Sequence, residues 1–255
     1  MKLDFSLNRT IEIRASRATV FRFFTDPQRW ARWWGEGSTI DPTVGGAVRI
    51  VYPGGTRASG VIREIVPDER IAFTYGYDAP GATIAPGGSL VTITLEDRAG
   101  GTRLVLRHDV DSAAVRDEHV QGWRYQLARF AFVVGDEAHA AAGDAIAAWF
   151  AAWMEPDADR RRATLETAVS PDVRFRDPNG DTYDLDELVF HICAALRFMP
   201  GIKLEPRGKP RRVHDVALID WAAVKPDGTS AMTGTNVVRL AADGRISEVV
   251  GVASL

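Results

Sequence analysis

The sequence predicts two α+β domains in tandem, each with helices packed on a largely antiparallel sheet. Three observations point there. Alternating apolar residues separated by glycine and proline turns fill roughly residues 48–108. One long helical stripe follows them, with Trp123, Leu127, Phe130 and Val134 at steps of four, three and four. Past a small-residue break, Ala140-Ala141-Ala142-Gly143, a second set of helices and strands begins in a different order. The expected domains are residues 1–140 and 143–255.

Phe5, Leu7, Ile11 and Ile13 alternate as a strand with one buried face. Ser16 is placed to cap a helix carrying Val20, Phe21, Phe23 and Phe24, and Asp26-Pro27 ends it and opens a second. That second helix is short and carries Trp30, Trp33 and Trp34. Three indoles exceed what one short helix buries alone, so they are expected to brace a cavity entrance or meet another surface. Strands follow at Val48/Ile50/Tyr52, 59–66, 70–77, 90–95 and 102–108, giving about six antiparallel strands before a helix from about Val115 to about His139.

The second cycle opens with Ile146, Trp149, Phe150 and Trp153 on one helix face. Arg160-Arg161-Arg162 reads as the solvated start of a further short helix, which carries Leu165 and Val169. Val173/Phe175 is a short strand stopped by the turn Asp177-Pro178-Asn179-Gly180. Leu185, Leu188, Val189, Ile192, Cys193 and Leu196 make a clean helical stripe. Only strands are expected after it: one long strand at 211–225, a turn at Pro226-Asp227-Gly228, 230–240, a turn at Asp243-Gly244, and 245–253.

Composition removes several function classes. The net charge of -3 argues against a nucleic-acid footprint. The single cysteine, Cys193, forms no intramolecular disulfide, which suits a reducing compartment. No apolar run reaches the ~20 residues of a spanning helix, so no membrane partner is expected and the cytoplasm is the expected location. The nucleophile-elbow, phosphate-loop, dinucleotide and His-Glu-x-x-His motifs are absent, and the five histidines show no ligand spacing. Neither a metal nor a cofactor is expected.

Residue types mark candidates in both halves. Trp149 and Trp153 share a helix face; as pocket lining rather than core they would stack on a flat apolar ligand, with Trp221 and Met232 approaching across the sheet. Phe175 and Asn236 are counted with them, as are Trp123 and Leu127 on the long helix. His191 lies beside its helix stripe, and Asp177 sits at a strand end before proline. Either is ordinarily a structural residue, a half-buried histidine or a local cap. Together they are the best candidates for acid–base chemistry.

Ile11 to Ser16, Val20-Phe21, Thr25-Asp26-Pro27, Trp30 to Trp34, Val44-Gly45-Gly46, Gly60 to Pro67, Gly101 to Leu106 and Gly122-Trp123 occur in register over about 130 residues. In that register the first half resembles the heat-shock-protein-90 ATPase activator homologue family, a branch of the START-like helix-grip superfamily. The resemblance implies a sheet wrapped on the long helix, with a ligand cavity between them. A co-chaperone role is implied by the family name alone.

Ala147 to Trp153, Val173 to Pro178, Gly234 to Leu240 and Asp243 to Ile246 are similar to the SnoaL-like polyketide cyclases of the cone-shaped, nuclear-transport-factor-two-like superfamily. In such a cone Asp177 would face the pocket mouth, and a dry pocket would raise its pKa toward a useful base value. Relatives often carry aspartate where Asn236 stands; an amide takes up no proton, so base chemistry does not rest on that position. The combined expectation is binding of a small hydrophobic or aromatic molecule in one or both cavities. The alternative is a cyclase- or ketosteroid-isomerase-like enzyme in the second domain. Homodimerisation through the second domain's sheet is expected as well.

Overall fold

The computed structural model describes residues 2–254. The chain divides into two compact units, Met1–Gly135 and Asp136–Leu255.

In the first unit β1 (Phe5–Ile13) leads to α1 (Arg17–Arg22) and α2 (Pro27–Trp34). The Ser16 side chain accepts from the Thr19 N–H at 3.2 Å and so caps α1, while Asp26 caps α2 in front of Pro27. Six more strands follow: β2 (Thr39–Ile40), β3 (Ala47–Val51), β4 (Arg57–Val66), β5 (Arg70–Tyr75), β6 (Ser89–Arg98) and β7 (Gly101–Val110). With β1 they form one antiparallel sheet of seven strands, ordered β1-β7-β6-β5-β4-β3-β2. This is one strand more than the sequence suggests, because two-residue β2 is too short to carry an alternation signal. The long helix α3 (Ala113–Ala138) ends just past the division between the units.

Trp123, Leu127, Phe130 and Val134 are all buried along α3, as their spacing predicts. The tryptophans of α2 depart from expectation. Trp30, Trp33 and Trp34 are each at most 1% exposed and neither line an entrance nor reach a surface. Their partners come from distant sequence: Phe130 lies 4.9 Å from Trp33, Phe73 5.7 Å from Trp30 and Tyr52 5.6 Å from Trp34, all edge-on. Edge-to-face packing of this kind adds to the large apolar area that each ring buries.

The second unit contains α4 (Ala142–Met154), α5 (Ala158–Ala168), β8 (Val169–Asp177), β9 (Gly180–Thr182) and α6 (Leu185–Phe198), then β10 (Lys203–Val213), β11 (Val216–Val224), β12 (Ser230–Leu240) and β13 (Ile246–Ala253). The six strands form one sheet ordered β10-β11-β12-β13-β8-β9, in which β13 and β8 run parallel. The single strand expected at 211–225 is instead the end of β10 and the whole of β11. They pair antiparallel up to Val213 and Val216, joined by His214-Asp215 with His214 at φ 51°. Arg161 also departs from expectation. It is 2% exposed, with its guanidinium folded back onto the Glu155 carbonyl.

Candidate functional site

Trp149 and Trp153, four residues apart, present their rings on one face of α4. Phe175 and Asp177, two apart, share one face of β8. Trp221 on β11 and Met232 and Asn236 on β12 face the same space, and α6 contributes His191 and Ala194. These side chains line a cavity of about 740 Å³, within the usual range of small-molecule sites. The aromatic wall is continuous: Phe175 lies 5.6 Å from Trp149 and 5.7 Å from Trp153.

Small residues make the room. A side chain at Gly234 would come within 2.5 Å of the Trp221 indole. A Cβ at Gly180 would come within 2.6 Å of the His191 ring, so the Asn179-Gly180 turn admits the imidazole only because it lacks one. The Cβ position at Gly251 lies 3.4 Å from Asn236 Oδ1 and 3.5 Å from Asp177 Cβ, which places those two residues side by side.

Asp177 Oδ2 stands 3.6 Å from His191 Nε2, and Asp177 Oδ1 accepts from the Asn179 N–H at 2.7 Å. The imidazole packs against Phe175 at 5.2 Å and Trp153 at 6.1 Å. Burial pushes the Asp177 carboxyl upward. His191 and the backbone N–H groups of Asn179 and Gly180 outweigh it and hold the group below the usual carboxylate range. The expected rise of this pKa in a dry pocket is therefore reversed. Asp177 stays ionised beside the imidazole and accepts from the Asn179 N–H.

Of the residues read from the sequence, Trp149, Trp153, Phe175, Asp177, His191, Trp221, Met232 and Asn236 line this one cavity. Trp123 and Leu127 belong to the first unit. The Trp123 indole donates to His108 Nδ1 at 2.9 Å, and Leu127 is buried. Sequence reasoning missed Ala223, Gly251 and Ala253, which also line the cavity. Small residues recurring on one face of strands that otherwise carry large ones were the available signal.

Residues 14–135 match the family model described as Activator of Hsp90 ATPase homolog 1-like protein. The N-terminal unit resembles that family. The chain's C-terminal half resembles the SnoaL-like family. Among solved structures the chain is similar to a putative isomerase of the SnoaL-like family from Agrobacterium tumefaciens. That likeness has 29% identity over 47% of this chain and 99% of that one, with a TM-score of 0.43. It is also similar to an AHSA1-like protein from Rhizobium etli, at 35% identity over 51% and 81% of the two chains, TM-score 0.42. The Aha1 dimer from Colwellia psychrerythraea matches at 17% identity over 48% and 90%, TM-score 0.42. No curated protein matches the chain. Among the described residues no helix is long and apolar enough to cross a membrane, and no cluster of side chains is arranged to hold a metal ion.

Proposed function

We propose that the C-terminal unit binds a small, flat, mainly apolar molecule, with its polar end against Asp177, His191 and Asn236. The observation that carries this reading is the cavity of about 740 Å³ itself: a continuous aromatic and aliphatic wall with few polar groups, which converge. Apolar faces supply affinity in such a site, and the few polar groups supply orientation. The test is titration of flat aromatic ketones and phenols, read by quenching of tryptophan fluorescence and by calorimetry. Ala194→Phe, which pushes a ring into the cavity, is expected to weaken binding at least about tenfold. Equal affinity in this variant and the parent chain overturns the reading.

The contact between His191 and Asp177 favours a second reading, proton transfer on the bound molecule. An ionised carboxylate behind an imidazole fixes the ring and stabilises its protonated form. The measurement is solvent-deuterium uptake at the carbon next to the carbonyl of a bound ketone, followed by NMR. His191→Gln is expected to slow uptake about 100-fold or more, the ordinary scale of general acid–base catalysis. Asp177→Asn is expected to slow it less and to move its pH profile. Uptake unchanged in both variants leaves binding without turnover.

A further inference from the structure

Beside the aromatic cavity lies a second one of about 520 Å³ whose polar lining has one sign of charge. Arg161, Arg197 and Lys203 line it with Cys193, and no carboxylate does. Met154, Leu196 and Ile202 form much of its apolar wall.

Arg161 is the unusual member. It is 2% exposed, and all its hydrogen bonds go to uncharged groups. Nε and Nη2 donate to the Glu155 carbonyl at 3.1 and 2.6 Å, Nη2 also to the Pro156 carbonyl at 3.3 Å, and Nη1 to Cys193 Sγ at 2.7 Å. Buried guanidinium groups are ordinarily paired with an anion. The nearby acids are engaged elsewhere. Glu155 pairs with Arg160 at 3.3 Å, Asp157 caps α5 through the Arg160 N–H, and Asp186 is bound by Arg162. Asp157 feels the Arg161 charge, but only weakly beside its contacts to Arg160. Arg197 and Lys203 add two exposed cations at the rim, and neither makes an ion pair with a described residue.

We propose that this pocket is a binding site for a small organic anion, a carboxylate or phosphate carried on an apolar body. The anionic group would sit among Arg161, Arg197 and Lys203, and the body against Met154, Leu196 and Ile202. Guanidinium and ammonium groups make charge-assisted hydrogen bonds to such oxygens, roughly twice as strong as neutral ones. The fixed, already buried Arg161 loses little freedom on binding. This site shares Leu196 and Ile202 with the Asp177–His191 cavity but none of its polar groups, and the proposal does not rest on the identity of that cavity's ligand.

Cys193 is the only cysteine in the chain, so thiol reagents report on this pocket alone. At about 20 mM ionic strength, where screening is weak, its reaction with the dianionic disulfide dithiobis(nitrobenzoate) is compared with that of neutral dithiodipyridine. Arg197→Glu/Lys203→Glu is expected to slow the anionic reagent about tenfold and to change the neutral one less than about twofold. Phenyl phosphate is expected to bind the parent chain by calorimetry and to protect Cys193 from both reagents. It should bind Ala194→Phe equally and the charge-reversed variant at least about tenfold more weakly. Phenyl phosphate giving neither heat nor protection overturns the proposal. So does a charge reversal that affects both reagents alike, or binding abolished by Ala194→Phe, which would assign the ligand to the aromatic cavity.

Discussion

An indole N–H can only donate, so the bond from Trp123 obliges His108 Nδ1 to accept and leaves the proton on Nε2. Nε2 then donates to Ser89 Oγ at 2.8 Å, and the Ser89 hydroxyl donates to the Tyr75 carbonyl at 2.8 Å. Every position around the ring is satisfied by the neutral form. Protonation would have to break the Trp123 bond in a buried site. Burial, reinforced by His119 with its ring 5.4 Å away, holds the His108 pKa down to about 3. The sign follows from linkage. An unfolded histidine titrates near its model value of 6.5, so above that pH neither state binds the proton and stability is unaffected. Below it the unfolded chain takes up a proton that the folded chain refuses, and stability falls until the pH reaches about 3. The slope is about 1.4 kcal/mol per pH unit inside that window. Urea unfolding at several pH values in this window should show a steeper loss in the parent chain than in His108→Gln; equal slopes would mean that the imidazole is not held neutral. His108 was one of five scattered histidines in the sequence. Its role depends on Trp123 and Ser89, from α3 and β6, and on Tyr75 in β5, which only the fold brings together.

At the scale of elements, what the sequence conceals is set by where its punctuation is missing. The cap at Ser16, the helix start at Asp26-Pro27 and the stripe on α3 were legible because they are local. The β10–β11 hairpin was not. His214-Asp215 carries no glycine or proline to mark a turn, so two strands read as one. The chain turns there by placing His214 at φ 51°, a left-handed conformation that costs a residue with a Cβ about 1–2 kcal/mol. His214→Gly removes that cost and adds chain entropy to the unfolded state, so a net gain of about 0.5–1 kcal/mol is expected. It should appear as a higher urea midpoint with an unchanged slope; an unchanged or lower midpoint would show that the imidazole contributes more than the strain costs. The α2 tryptophans and Arg161 were misread for a related reason. A helix that cannot bury three indoles alone does so against Phe73, Phe130 and Tyr52, and a basic run looks solvated until Glu155 and Pro156 turn their carbonyls onto it.

Over the whole molecule, the two halves were legible to different depths. The first half announces its architecture through residue order, and buried rings pack against one another around His108 and Trp123. The second half showed weaker motifs, yet most residues singled out there converge on one cavity. Side-chain type was enough to nominate Asp177 and His191. It could not give the sign of the Asp177 shift, which depends on the Asn179 and Gly180 backbone and on the neighbouring imidazole.

Leu196 and Ile202 stand in the lining of both cavities of the C-terminal unit. They are a party wall between an aromatic chamber and a cationic one. An occupant that leans on this wall from either side takes space from the other. Thermodynamic reciprocity then requires that whatever factor the anion imposes on affinity for the apolar molecule, the apolar molecule imposes on the anion. A change of side-chain volume at Leu196 is therefore never a change to one site alone.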